Sequence, residues 1–410
     1  MSCKRSNINP IPKVDIPKEK SGYRGINITP VIARAFEKVV YNTFVKEAVE
    51  ENLSTTQFAY RESGNCTSAP LTIQHFIKKH LDNLDCEAVR VFAVDFSKAF
   101  DSVRHELLSN KLKWLPLNAY IINWYHSFLY NRQQPIVHNN HLHEWKGVNK
   151  GTTQKSMSGP YLFNVFLNDL EIKLGSTPAL FKYADDSTIV APVWKGGSGT
   201  SGDLVEALLT SANCNSMSCN PNKSKELVIK KNGNSTFYPV VRNIPQHATL
   251  DLLGLTFEND LKFSAHIKAK LCKANKCLHV LRVCRKEHYS QTEIDYLLYS
   301  IVLPNITYGL YVYGASVAKI YVLQQFLDKC YKLRFISTQL NIRSLLQKQD
   351  NASFQKAKLH DNRPLKVCLP QEKNNLTYNL RRRSFQRPKI NTERYKNTFV
   401  NRLIFKYHLL

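Results

Sequence analysis

Apolar positions along the chain change period several times, and each change predicts an element. Pro10, Pro12, Pro17 and Pro30 punctuate the opening segment, where short alternating runs around Ile11 and Val14 suit edge strands, because proline cannot donate to a ladder. Ile32, Phe36, Val39, Val40 and Phe44 then recur at helical spacing, as do Leu71, Phe76, Ile77, Leu81 and Leu84 behind Pro70 at a helix start. Val89 to Phe96 is almost continuously apolar and rich in β-branched residues, which predicts a buried central strand carrying Asp95 at its end. Helical stripes return at Val103, Leu107, Leu108 and Leu112, and at Ile121, Ile122, Tyr125, Phe128 and Leu129. A hairpin turning at Asn139-Asn140 is predicted over 134–146, then a helix through Leu162, Phe163, Phe166, Leu167 and Leu170, then a second, buried hairpin from Ala179 to Val193. The glycine-rich stretch Lys195–Gly202 reads as an exposed loop. Beyond residue 260, stripes such as Leu271, Leu278, Leu281 and Val283, or Ile294, Leu298, Ile301 and Val302, predict a separate helical unit.

Composition narrows the picture. The 410 residues are 43% apolar and 11% aromatic, enough to bury a real core in two or three domains, which excludes a disordered chain and a small disulfide-stapled module. Lys plus Arg number 57 against 32 Asp plus Glu, and the net charge of +25 asks for a polyanionic partner, nucleic acid before membrane. No apolar stretch approaches a membrane span and no apolar signal core follows Met1, so the nucleus or cytoplasm is expected. Cys272, Cys277, His279, Cys284 and His288 fit no standard zinc spacing and read as reduced thiols on a helix. From 351 to 410 there are 14 Lys plus Arg against Asp361, Glu372 and Glu393, with Phe385, Tyr395, Phe399, Phe405 and Tyr407 interleaved. That mixture suits phosphate contact and base stacking, or equally a terminal helix pair that packs its aromatics on the preceding unit.

The chemistry lies in three carboxylates set in apolar surroundings. Asp95 ends Val-Phe-Ala-Val-Asp, and Asp185 with Asp186 interrupt Phe-Lys-Tyr-Ala-Asp-Asp-Ser-Thr-Ile-Val. Charge there is costly unless compensated. An Asp-Asp pair alone is usually a turn-former, but together with a strand-borne third acid it points to divalent metal. Magnesium prefers carboxylate oxygens plus substrate phosphates, and two such ions can clamp the attacking and leaving oxygens of an in-line displacement. The reaction class this predicts is nucleotidyl transfer.

These residues carry a resemblance. Ala-Val-Asp95-Phe-Ser-Lys-Ala-Phe100-Asp101, Gly151-Thr-Thr-Gln154-Lys-Ser-Met-Ser-Gly-Pro160 and Tyr183-Ala-Asp185-Asp186 stand in the order and approximate spacing of reverse transcriptase motifs A, B and C. Asn220-Pro-Asn-Lys223-Ser-Lys resembles motif D, Leu252-Leu-Gly254-Leu-Thr-Phe motif E, and Pro12-Lys13 with Tyr23-Arg24-Gly-Ile the upstream fingers. The chain resembles RNA-directed DNA polymerases of jockey-type retrotransposons without long terminal repeats (non-LTR). The resemblance implies an α+β right-hand polymerase fold: fingers over 1–88, a palm over 89–260 with a fingers/palm insertion at 114–160, a helical thumb over 261–345, and a basic helical C-terminal region over 346–410. The palm would be a four-stranded antiparallel sheet backed by helices.

It also implies roles. Asp95, Asp185 and Asp186 would hold two Mg²⁺ ions, with Mn²⁺ able to substitute, and the partners would be an RNA template, a DNA primer and deoxynucleoside triphosphates (dNTPs). Phe100 would close on the sugar's 2′ side, or be a core aromatic at a helix start. Lys13 and Arg24 would touch the incoming triphosphate, or be solvated cations. Gln154 would lie under the nascent base pair, or be a loop amide. Lys223 would donate a proton to pyrophosphate, or open a strand, and Gly254 would shape the primer grip, or be a bulge.

The chain departs from the family at Lys155, where a glycine is usual, and a side chain there denies the backbone close approach and cheap positive φ. No upstream endonuclease, RNase H acidic set or Cys-x2-Cys-x4-His-x4-Cys knuckle is seen, which reads as a truncated copy of an element. The rival expectation is a catalytically impaired remnant that binds RNA or DNA through phosphate contacts.

Overall fold

The computed structural model describes residues 4–62, 64–153, 156–197, 200–314, 317–358, 364–370 and 385–405. Its centre is a four-stranded antiparallel sheet in the order Leu180–Tyr183, Asp186–Trp194, Cys86–Val94, Lys225–Lys230. The two middle strands are almost wholly buried, with Val89, Phe92, Ile189 and Ala191 at 0% exposure. A strand covered on both faces has no wet side to mark with polar residues, hence the unbroken apolar runs. Arg90 interrupts the central strand as a compensated charge. It forms a buried two-point pair with Glu226 on the neighbouring strand (Nε to Oε1 2.5 Å, Nη2 to Oε2 3.0 Å) and donates to the Pro239 carbonyl (2.7 Å).

Local turn chemistry sets the smaller hairpins. Asn139 and Asn140 take φ of +48° and +63° and join Val137–His138 to His141–Leu142, as the sequence predicts, because asparagine tolerates the left-handed region that a tight hairpin turn demands. The opening strands, Asn7–Pro12 and Tyr23–Ile28, pair in register Ile11 to Arg24. Val14 falls outside them.

Three expectations need correction. The helix Val31–Val40 exists, but its apolar stripe faces outward: Ile32, Phe36 and Val39 are 80%, 54% and 58% exposed, while Ala33, Glu37 and Val40 are buried. A π-helical turn at Tyr41–Val45 then carries the chain into Lys46–Asn52. The supposed loop Lys195–Gly202 is not all loop, since a fifteen-residue helix begins at Thr200 and runs to Cys214. It buries Ser201, Leu204, Val205, Leu208 and Ala212. Hydroxyl residues and glycine at a first helical turn cost little, so their composition misled. Leu84, read as part of a helical stripe, lies past the end of Ser68–Asp82 and is 68% exposed.

The chain divides into two compact units, each assembled from three separate stretches: 1–64, 94–187 and 203–224 in one, 65–93, 188–202 and 225–410 in the other. The core of the first is built on the helix Ser158–Phe166, whose Leu162, Phe163 and Phe166 are fully buried together with Leu108, Leu112 and Tyr125. The second is mostly helical, as expected beyond residue 260, with Ser68–Asp82, Ser264–Lys286, Val317–Lys332 and Ile342–Lys358 as its long members. Ser290 and Glu293 form a reciprocal capping box at the start of Gln291–Leu297.

The C-terminal aromatics decide between the two readings of that region. Phe385, Tyr395 and Phe399 are 4%, 6% and 2% exposed. Asn391 and Thr392 donate their backbone N–H groups to Asp82, and Tyr395 lies 5.6 Å from the His75 ring. These side chains are packing elements and not a base-stacking surface. Arg381-Arg382-Arg383 and Tyr407 lie outside the described residues. Among the described residues no helix is long and apolar enough to cross a membrane.

Candidate active site

Asp95 follows the last residue of the central strand, and its backbone is clamped on both sides. Its N–H donates to Ser224 Oγ (3.2 Å) and its carbonyl accepts from Asn220 N–H (2.8 Å). Its Oδ2 lies 3.8 Å from Lys223 Nζ. Lys98 then takes φ +48° ahead of the short helix Ala99–Ser102, a left-handed geometry that costs a non-glycine residue about 1–3 kcal/mol and so marks a position the surroundings enforce. Asp185 stands in the tight turn between Leu180–Tyr183 and Asp186–Trp194, and Asp186 opens the second of these strands. Ala184 makes that turn at φ +55°, and its N–H is held by Gln57 Oε1 (3.2 Å).

The two acids of the turn respond to burial and to neighbouring charge. Burial pushes the Asp185 carboxyl above its ordinary range, with the Asp95 charge adding to the rise while its own backbone N–H and Arg24 oppose it. Asp186 is pushed up to about 6 by burial, then by the charges of Asp185 and Asp95. The Asp95 charge therefore reaches both acids of the turn. The three do not form a finished coordination sphere: among the described residues no group of three or more His, Cys, Asp or Glu side chains stands close enough to hold one ion.

Motif B is stitched to motif A through backbone. Gly151 N–H donates to Val103 O (2.7 Å) and Thr152 N–H to Phe100 O (2.9 Å). Gly151 has φ +91°, and a Cβ there would stand 3.1 Å from Asp101 Cα, so both conformation and space require glycine. Phe100 is half-buried and stacks on Phe163, with centroids 4.1 Å apart and planes 18° apart. Gln154 and Lys155 lie outside the described residues. Arg24 is exposed on its strand yet near enough to act on Asp185, and Lys13 is exposed just past the other strand, its N–H donating to Gly22 O (2.7 Å). Gly254 belongs to the second unit. With Leu253 it forms the two-residue turn between Thr249–Leu252 and Leu255–Glu258 at φ +81°, and Tyr308 Oη donates to Leu253 O (2.7 Å).

Sequence reasoning overlooked two buried lysines. Lys182, three residues before Asp185, is 0% exposed and donates to the Leu167 and Leu170 carbonyls at 2.7 Å each. Lys111 donates to Phe166 O (2.5 Å) and to Asp169 (2.7 Å). Lys111 thus satisfies the last carbonyl of the motif B helix, and Lys182 ties down the turn that follows it. A lysine inside an apolar strand is the available signal, since it must find acceptors. Burial drives the Lys182 amine down to about 7, with Lys111 adding to the effect and Glu171 and Asp169 opposing it. The unfolded chain keeps that proton up to about 10.4, so unfolding takes up a proton between those values and stability should climb as pH rises from about 7 to 10, by at most about 1.4 kcal/mol per pH unit per amine. Lys182→Met should flatten the climb in thermal melts between pH 7 and 9.5. Identical slopes for variant and wild type would exclude this role.

Comparison with known proteins completes the picture. Residues 12–297, well over half the chain, match the family model of reverse transcriptase (RNA-dependent DNA polymerase). The chain belongs to the reverse transcriptase family. It is 25% identical over 328 residues to the RNA-directed DNA polymerase from mobile element jockey of Drosophila melanogaster, covering 75% of this chain and 35% of that protein. It is 26% identical over 257 residues to a putative 115 kDa protein in the type-1 retrotransposable element R1DM of the same fly, covering 61% and 24%. The domain thus spans about a third or less of the length of these relatives. Telomerase from Candida tropicalis in complex with a fragment of telomeric RNA aligns at TM-score 0.46 and 10% identity, over 90% of this chain and 64% of that one. That likeness is too distant to add to the family match. The α+β right-hand polymerase fold expected of a reverse transcriptase is the fold of this domain, and reverse transcriptases generally use divalent metal ions.

Proposed function

We propose that this reverse transcriptase domain extends a DNA primer on an RNA template by two-metal nucleotidyl transfer from dNTPs, as the polymerase of a non-LTR retrotransposon. The observation that carries the reading is the placement of Asp95 at a strand exit and of Asp185 and Asp186 at a hairpin turn, near enough that the Asp95 charge acts on both. An all-oxygen set of three carboxylates suits a hard divalent cation, Mg²⁺ first and Mn²⁺ as a substitute, whose charge would favour the ionised forms that burial, and then neighbouring charge, disfavour in Asp185 and Asp186. Once bound, the ions would activate the primer 3′-hydroxyl and neutralise charge on the transferring phosphate.

The remaining roles belong to the chain's own residues. Arg24 and Lys13 would draw the triphosphate toward the acids, with the planar guanidinium suited to two-point contact and the ammonium to point charge. Lys223, within ion-pair range of Asp95, would move to the leaving pyrophosphate and give it a proton. Gln154 would support the base pair, and Gly254 the primer strand. Phe100, braced flat against Phe163, would block a 2′-hydroxyl. Phe100→Ala should therefore raise ribonucleotide use relative to deoxynucleotide use by about 10–200-fold, the worth of 1–3 kcal/mol of steric exclusion. A variant with unchanged discrimination in single-nucleotide addition would make Phe100 a core aromatic only.

The test of the whole reading is extension of a primed RNA template with Mg²⁺, wild type against Asp185→Asn. Robust wild-type extension with none from the variant is expected. A wild-type signal no higher than the variant's would leave an RNA-binding remnant whose +25 charge holds phosphates without chemistry.

A further inference from the structure

Asp95 is presented by one neighbouring turn, residues 220–224. Just beyond the strand, Phe96 pairs with Cys219 in an isolated antiparallel bridge, and Ser97 N–H donates to Ser218 O (2.8 Å). At Asp95 itself the link becomes a closed ring. Asn220 N–H donates to the Asp95 carbonyl (2.8 Å), Asp95 N–H donates to Ser224 Oγ (3.2 Å), and Ser224 Oγ donates onward to the Asn220 carbonyl (2.8 Å). Ser224 is 0% exposed. Its hydroxyl thus accepts from one partner and donates to another while itself shielded from solvent, with Cys219 Sγ a further neighbour at 3.5 Å.

The need for a hydroxyl follows from where the strand stops. The ladder to Lys225–Lys230 ends at Ala93, so at Asp95 the partner strand offers the N–H no carbonyl. The group that replaces it must accept there and also donate to the Asn220 carbonyl. Serine does both with one small atom, whereas alanine does neither and cysteine does both weakly.

We propose that Ser224 is a positioning residue for divalent-metal binding, its buried hydroxyl fixing the backbone of Asp95 and with it the direction of that carboxylate. The inference rests on the reading above, in which Asp95 is a metal ligand. It differs from the role given to Lys223, which faces the carboxylate itself. Ligand geometry tolerates errors of only about half an ångström, and loss of a supporting hydrogen bond behind a ligand typically lowers metal affinity by about 10–100-fold.

The test is Mn²⁺ titration of the full chain followed by electron paramagnetic resonance, with thermal melts as a check on folding and primer extension in parallel. Ser224→Ala is expected to weaken Mn²⁺ binding about tenfold or more and to lower kcat, while KM for dNTP stays within twofold. Ser224→Cys, close to serine in size, is the second variant and keeps the test open if the alanine variant does not fold. It should bind Mn²⁺ with affinity between those of wild type and Asp95→Asn. Wild-type Mn²⁺ affinity in either folded variant overturns the positioning role and leaves the polymerase reading standing. Wild-type protein whose Mn²⁺ signal is unchanged by Asp95→Asn overturns the metal reading, and the inference with it.

Discussion

Asp186→Asn is expected to reduce primer extension at least about a thousandfold, since a bound metal ion supplies several kcal/mol of transition-state stabilisation and each 1.36 kcal/mol is a factor of ten. RNA affinity, measured by filter binding, should change less than twofold, because an acid is lost and no basic contact. The same substitution should not destabilise the fold. Burial and the charges of Asp185 and Asp95 hold the Asp186 carboxyl near 6, above its ordinary 3.8. A raised carboxylate pKa means that folding disfavours the ion, so the penalty sets in between pH 3.8 and 6 and is complete above that window. In the presence of a chelator, the asparagine variant should therefore melt at or slightly above the wild-type temperature at pH 8, with the difference gone below pH 4. Asp186 is exposed on its outer side, which keeps the gain under about 1 kcal/mol. A variant retaining more than a tenth of wild-type extension would remove Asp186 from the metal site.

The largest stability effect is expected in the second unit. Arg402 is 1% exposed and Asp350 0%. The guanidinium donates to both carboxylate oxygens (3.1 and 2.8 Å) and to the Asn397 and Tyr311 carbonyls (2.7 and 2.9 Å). Arg402→Met removes the two-point partner of the buried Asp350 charge and should cost about 3–5 kcal/mol. Replacing both partners, Arg402→Met with Asp350→Leu, should recover much of that loss, because the under-compensated buried charge and not the missing attraction dominates. Denaturant unfolding of the two variants decides it, and a double variant no more stable than the single one would contradict the argument. Deleting 351–410 to test nucleic-acid binding would remove Arg402 and Phe399 from this core, so charge-reversal of exposed lysines is the cleaner probe of the tail.

Legibility from sequence followed the range of the interaction involved. The central strand, the Asn139-Asn140 hairpin and the motif C hairpin were readable because each depends on a short run and its own turn residues. The outward face of Val31–Val40 was not, since periodicity reports a stripe but not the side on which it meets a partner. Arg90 with Glu226 and Arg402 with Asp350 were also invisible, as partners 136 and 52 positions apart meet only through the tertiary fold. At the site, the acids stood out as charges in apolar runs. Lys182 sat in the same motif unnoticed, although a buried amine is as costly as a buried carboxylate. Ser224 gave no signal, because one hydroxyl among polar neighbours looks like any surface residue.

The interleaving of the two units carries a consequence for biosynthesis. Residues 65–93 leave the ribosome well before the strand Lys225–Lys230 that pairs with them. At roughly 5–20 residues per second, the nascent strand waits on the order of ten seconds before both of its edges are matched. Newly made protein should accordingly depend on chaperones that shield extended apolar chain, and genes cut between residues 94 and 225 should yield insoluble products whichever half they encode.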